Sequence, residues 1–297
     1  MTRSGPDRGT DDDRRPTFDV KAPAGGWGDP WPNVAEIARV LPTNRWTLIG
    51  GLMTQLHAIH HGVDAVRPTN DVDIALDIET ARGTPNTTAN ALESLGYELK
   101  PSIDPRNNVG HRFTRGASRV DVVGGHEADD DVVDVVIADH PAPRAQARMR
   151  RMDMVKVPGG TQALRRTANY RLTFNEETPF TISVPQPFGA LILKTAAYVS
   201  DSRDPVRHLQ DAAVLLACID DPFAELDQLA GSDRGRLAIL DRELTDAHPA
   251  WRLMPRADAD RGRAVLECSQ VLSSGARAPH DLTGLGPRSW STSSASR

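Results

Sequence analysis

Two cysteines in 297 residues, Cys218 and Cys268, cannot build a disulfide scaffold. They read as small apolar side chains in helical segments of a protein kept in a reducing compartment. No apolar run approaches the roughly 18 residues that a membrane span requires, so neither a transmembrane helix nor a membrane partner is expected. The start of the chain is polar and carries Asp11–Asp13, which predicts no secretory leader and a cytoplasmic location. There is no Gly-Lys-Ser/Thr phosphate loop and no Gly-x-Ser-x-Gly elbow, which removes the common kinase and hydrolase readings. No internal repeat is visible. A net charge of −5 argues against a uniformly basic nucleic-acid binder, although where the charge sits matters more than its sum. With 39% hydrophobic residues, the chain is long enough to bury one or two cores.

What is present centres on Thr69-Asn70-Asp71-Val72-Asp73-Ile74-Ala75-Leu76. In a strand, residues i and i+2 share a face, roughly 6–7 Å apart. Asp71 and Asp73 would therefore stand side by side while Val72 and Ile74 enter a core. Two adjacent carboxylates repel unless a cation lies between them, so the pair reads as a divalent-metal clamp. Upstream, Trp46-Thr47-Leu48-Ile49 reads as a buried strand ending in Gly50-Gly51, with Leu52–His61 as the following helix. Glycines there allow close backbone approach to phosphates, and the helix start offers N–H groups to an anion. Strand, Gly-Gly, helix and an Asp-x-Asp strand form the arrangement that nucleotidyl transfer from a nucleoside triphosphate needs. Mg²⁺, in two ions, would neutralise the triphosphate and both reacting oxygens.

The Gly-Gly and Asp-x-Asp pair resembles the motif of the polymerase-β-type nucleotidyltransferase superfamily. A second block narrows this: Val157-Pro158-Gly159-Gly160-Thr161-Gln162-Ala163-Leu164, then Val184-Pro185-Gln186-Pro187-Phe188-Gly189-Ala190-Leu191-Ile192-Leu193-Lys194-Thr195-Ala196-Ala197. That succession resembles the AbiEii-like branch, which includes toxins of type IV toxin–antitoxin systems, over roughly residues 35–220. The resemblance implies an α+β nucleotidyltransferase fold, a mixed sheet flanked by helices, followed by a helical C-terminal region. It also implies Mg²⁺, a nucleoside triphosphate, and transfer to tRNA or to a protein hydroxyl, with an antitoxin protein as a possible partner. A catalytically silent nucleotide-binding regulatory module on the same fold is the reading from a different class.

The superfamily uses a third carboxylate from a neighbouring strand, and two residues qualify. Asp134, in the longer and more apolar run 131–139, is favoured over Asp121; the other would face solvent. The resemblance gives Lys194 the support of nucleotide phosphates; otherwise it snorkels from an apolar helix to water. Asp204 and Pro205 read as N-cap and first residue of the next helix. There Arg207, His208 and Asp211 form a polar stripe that faces either the site or solvent. Relatives place an acidic residue near here, so Asp211 would pair with Lys194 or act as a base. Arg67 could touch phosphate, and Arg112 could line the cleft. His57, His60 and His61 have helical spacing but lack a fourth zinc ligand at a standard distance.

Between Arg144 and Arg171 the basic residues are Arg144, Arg148, Arg150, Arg151, Lys156, Arg165, Arg166 and Arg171, against Asp153 alone. They form either a phosphate-contacting patch for tRNA or a solvated face, and few aromatics lie among them for base stacking. The expected organisation is a disordered segment over 1–30 and a catalytic core with short-strand extension over 31–185. A helical region over 186–275 completes the site, and a disordered tail covers 276–297.

Overall fold

Two β-branched runs with buried interiors build the centre of the structure. In Asp71–Leu76 and Asp131–Ala138, the side chains of Val72, Ile74, Val133 and Val135 are fully buried. Each such side chain contributes on the order of 1.5–3 kcal/mol. The computed structural model describes residues 15–273 except 66, 79–82, 103–105, 117–129, 142–144, 146, 175–177 and 227. In chain order, the first half comprises β1 (Thr17–Val20), α1 (Trp31–Val40), β2 (Trp46–Ile49), α2 (Gly50–His61), β3 (Asp71–Leu76), α3 (Thr84–Ser94), β4 (Glu98–Pro101), β5 (Gly110–Arg115) and β6 (Asp131–Ala138). Next come β7 (Arg148–Met149), β8 (Met152–Asp153), β9 (Lys156–Val157), α4 (Gly160–Leu164), β10 (Thr167–Leu172) and β11 (Phe180–Pro185). The helices α5 (Pro187–Ser200), α6 (Val206–Ala217), α7 (Pro222–Leu226), α8 (Asp233–Glu243) and α9 (Arg256–Ser273) follow.

The fold is α+β, with a mixed sheet flanked by helices. Its strand order is β2-β3-β6-β5-β4, with β9 joining the end of β6. The β3–β6 pair is parallel, whereas β2–β3, β5–β6 and β4–β5 are antiparallel. A smaller sheet, β1-β10-β11, sits beside β2, and Thr47 and Ser183 share a hydrogen bond of 3.1 Å between the two. Helix α5 is apolar almost all round, so it is sandwiched: it packs on α2, α4, α6 and α8. Helix α6 in turn packs on α2 and α9. Among the described residues, no helix is long and apolar enough to cross a membrane. Cys218 and Cys268 are both buried free thiols.

Three expectations change. Within 1–30, residues 17–20 form a strand parallel to β10 instead of a disordered segment. Alternation explains it: Phe18 and Val20 turn inward while Thr17 and Asp19 face out, and Arg171 grips Asp19. Helix α6 begins at Val206, after Pro205, so Asp204 is not its cap. Asp201 takes the local role, accepting from the backbone N–H groups of Arg203 and Asp204. The Pro-Gly-Gly turn opens into the short helix α4, because Asp139 accepts from the Gly159 and Thr161 N–H groups at its start. Residues 276–297 lie outside the described residues.

Candidate functional site

The register of the sheet assembles the acidic cluster. Asp73 on β3 lies directly beside Asp134 on β6, and Asp71 precedes it by two residues on the same face. Oxygen atoms of Asp71, Asp73 and Asp134 all lie within 4.8 Å of one another. Among the described residues, no other group of His, Cys, Asp and Glu is so placed. Burial, together with the charges of Asp71 and Asp134, pushes the Asp73 carboxyl up to about 7, although Lys194 and Arg207 oppose this. The Thr69 hydroxyl donates to Asp71 at 2.7 Å and fixes its orientation. Asp121, the other third-carboxylate candidate, lies outside the described residues.

Gly50 and Gly51 have a local cause that the sequence did not suggest. Gly50 has φ +72°, and a Cβ there would overlap the Asp73 carboxylate. A Cβ on Gly51 would come within 2.7 Å of the Thr69 hydroxyl oxygen. The glycine pair thus lets the start of α2 pass directly over Asp73 on β3 and Thr69 just before it, and both glycines line the same cleft. At the far end of α2, Gly62 adopts φ +65° and its N–H closes the last turn onto Ala58 and Ile59.

Opposite the triad, α5 and α6 bring a second set of charges. Lys194 Nζ lies 2.6 Å from Asp211 Oδ2, and the two side chains are only 6% and 3% exposed. Arg67 adds a two-pronged contact to Asp211, 3.1 Å at each oxygen. Burial works to raise the Asp211 carboxyl, but Lys194 and Arg67 outweigh it and hold it below the ordinary carboxylate value. Lys194 therefore does not snorkel, and Asp211 is buried behind it rather than turned to solvent. His208 Nε2 pairs with Asp201 at 3.0 Å, as does Arg207. Arg112 on β5 is the cross-strand neighbour of Asp134 and grips it with two bonds of 2.9 and 2.6 Å.

Apart from Asp211, these groups border one open cleft of about 1020 Å³. It holds Gly50, Gly51, Arg67, Asp71, Asp73, Arg112, Asp134 and Lys194, together with Thr69, Asp201, Arg203 and Arg207. Asp211 sits just behind, reached through Lys194 and Arg67. Thr69, Asp201 and Arg203 were missed in the sequence, where only a Thr-x-Asp spacing hinted at the first. Of the α2 histidines, His57 serves the core, whereas His60 and His61 are partly exposed. His57 Nε2 donates to the Pro185 carbonyl at 2.7 Å, and burial above all pushes its pKa down to about 3.

The basic cluster disperses. Arg148 pairs with Asp153, Arg150 with Glu93, Arg166 with buried Asp233, and Arg171 with Asp19. Arg144 lies outside the described residues. Charges drawn from several elements pair half of a run that looks uniform in one dimension.

Fold and site together define an α+β protein whose mixed sheet carries an acidic triad close enough together that it could hold a metal ion. No protein-family model, no curated protein and no solved structure matches this chain.

Proposed function

We propose that the chain is a Mg²⁺-dependent nucleotidyltransferase on a nucleotidyltransferase fold of the AbiEii-like type. The observation that carries the reading is the triad Asp71, Asp73 and Asp134 on adjacent parallel strands at the floor of a cleft large enough for a nucleoside triphosphate. The donor set suits a hard cation, since it is all carboxylate oxygen. Burial first, and then the like charges of Asp71 and Asp134, raise the Asp73 carboxyl to about 7, and a cation there would relieve both. Mg²⁺ held there supplies charge neutralisation of the triphosphate.

The chain's own groups divide the remaining work. The first N–H groups of α2, bare of side chains at Gly50 and Gly51, offer donors to phosphate oxygens. Thr69 aims Asp71. Lys194, immobilised by Asp211, and Arg67 present fixed positive charge to the phosphates. An acceptor hydroxyl oxygen forms a bond to the α-phosphorus as the bond to the pyrophosphate oxygen breaks. Its proton passes to a carboxylate, for which Asp134 is the assignment.

The acceptor is an RNA, with tRNA first, on the strength of the family resemblance. A protein hydroxyl is the second reading, favoured by the pairing of Arg148, Arg150, Arg166 and Arg171 within the protein, which removes half of the expected RNA-facing charge. Incubation with Mg²⁺ and each α-³²P-labelled triphosphate, with and without total tRNA, tests both. Label on RNA, lost in Asp71→Ala/Asp73→Ala, supports the first, and label on polypeptide supports the second. Nucleotide binding without any transfer would indicate a silent binding module and overturn the enzymatic reading.

A further inference from the structure

Arg112 occupies a position that the reaction above does not explain. Cross-strand pairing puts Asp73, Asp134 and Arg112 in one row on β3, β6 and β5. Arg112 holds both oxygens of Asp134, the same carboxylate that completes the triad. The other paired cations of the cleft have partners outside the triad: Lys194 and Arg67 hold Asp211, and Arg207 holds Asp201. Among the described residues, Arg112 alone forms an ion pair with a triad carboxylate. Its side chain is 50% exposed, so it can swing without opening the core, whereas Asp134 is 11% exposed.

We propose that Arg112 is an exchangeable latch, bound to Asp134 in the empty cleft and transferred to the polyphosphate of the substrate when that enters. This rests on the nucleotidyltransferase reading and extends it to the order of events. A guanidinium fork matches carboxylate and phosphate equally well, so exchange preserves both hydrogen bonds. A triphosphate carrying several charges outcompetes one carboxylate. Once released, Asp134 would have one oxygen free for the cation that Asp71 and Asp73 would hold and the other for the acceptor's proton. Arg112 is then a substrate-sensing residue: it keeps the triad incomplete until polyphosphate is present.

Four full-length proteins test this: wild type, Arg112→Ala, Asp134→Asn and the double variant. Two probes are used separately, Mn²⁺ by electron paramagnetic resonance and inorganic tripolyphosphate by calorimetry in metal-free buffer. Removing Arg112 is expected to tighten Mn²⁺ binding about three- to tenfold, and only where Asp134 is present. Removing the Asp134 charge is expected to tighten tripolyphosphate binding by a similar factor, and only where Arg112 is present. Arg112→Lys, which retains charge but loses the fork, also tightens Mn²⁺ and guards against misfolding of the alanine variant. Equal effects in both backgrounds would reduce Arg112 to diffuse charge and overturn the latch. Weaker Mn²⁺ binding in Arg112→Ala would make it a positioning residue for Asp134 and overturn it likewise. If wild type binds neither probe, the nucleotidyltransferase reading itself fails.

Discussion

Replacing Asp211 by alanine should cost more stability than removing its principal partner, and the structure fixes the order. Asp211 neutralises Lys194, whose side chain is 6% exposed, and simultaneously holds both prongs of Arg67. Without it, a buried ammonium loses its 2.6 Å counter-charge, a situation that costs about 3–5 kcal/mol. Lys194→Met is milder. Methionine suits the apolar surroundings of α5, and Asp211 retains Arg67, so the loss is one charge-assisted bond, about 1.5–3 kcal/mol before the gain from packing. Lys194→Met/Asp211→Ala should then be more stable than Asp211→Ala alone, because the residual charge, Arg67, is 29% exposed and can hydrate. Urea unfolding of the four proteins at pH 7.5 with unchanged m-values measures this directly. Costs that simply add would show that the groups act independently and refute the buried-charge argument.

Gly50→Ala should lose metal binding, since its Cβ displaces the Asp73 carboxylate, and lose about 1–3 kcal/mol through the left-handed backbone. Gly62→Ala, at a similar φ with nothing within 4 Å, should lose stability alone and keep its Mn²⁺ affinity. His57 supplies an acid limit. Its folded pKa of about 3 lies below the ordinary 6.5, so the unfolded chain takes up a proton that the folded one refuses. Stability should fall below pH 6.5 by up to about 1.4 kcal/mol per pH unit and level off near 3. The slope is read in an Asp73→Asn background, because Asp73, raised to about 7, acts with the opposite sign. His57→Gln should flatten it. Finally, protons compete for Asp73, so Mn²⁺ affinity should decline as pH falls below about 7, followed by titration at fixed ionic strength.

Local patterns were legible where they repeat within a few residues. The alternation in 71–76 placed Asp71 and Asp73 on one face, and the unbroken apolar run after Pro187 marked a buried helix with Lys194 inside it. What depends on which elements become neighbours was legible only as far as the resemblance supplied it, through a third carboxylate from a neighbouring strand, for which Asp134 was favoured. That β6 sets Asp134 beside Asp73, and that β5 then adds Arg112, follows from strand register rather than from either segment alone. The basic run left two readings open for the same reason: Arg166 meets Asp233 and Arg171 meets Asp19 across large separations in sequence. The glycine pair was recognisable as a tight passage. That it passes over Asp73 and Thr69 required the three-dimensional arrangement.

A crystal grown with Mn²⁺ and a non-hydrolysable nucleoside triphosphate tests the central claim most directly, through its anomalous difference map. The expected result is peaks bounded by Asp71, Asp73 and Asp134, with the phosphates between them and Lys194 and with Arg112 moved from Asp134 onto phosphate. Manganese absent from the triad while nucleotide occupies the cleft would contradict the assignment of these carboxylates as the metal centre.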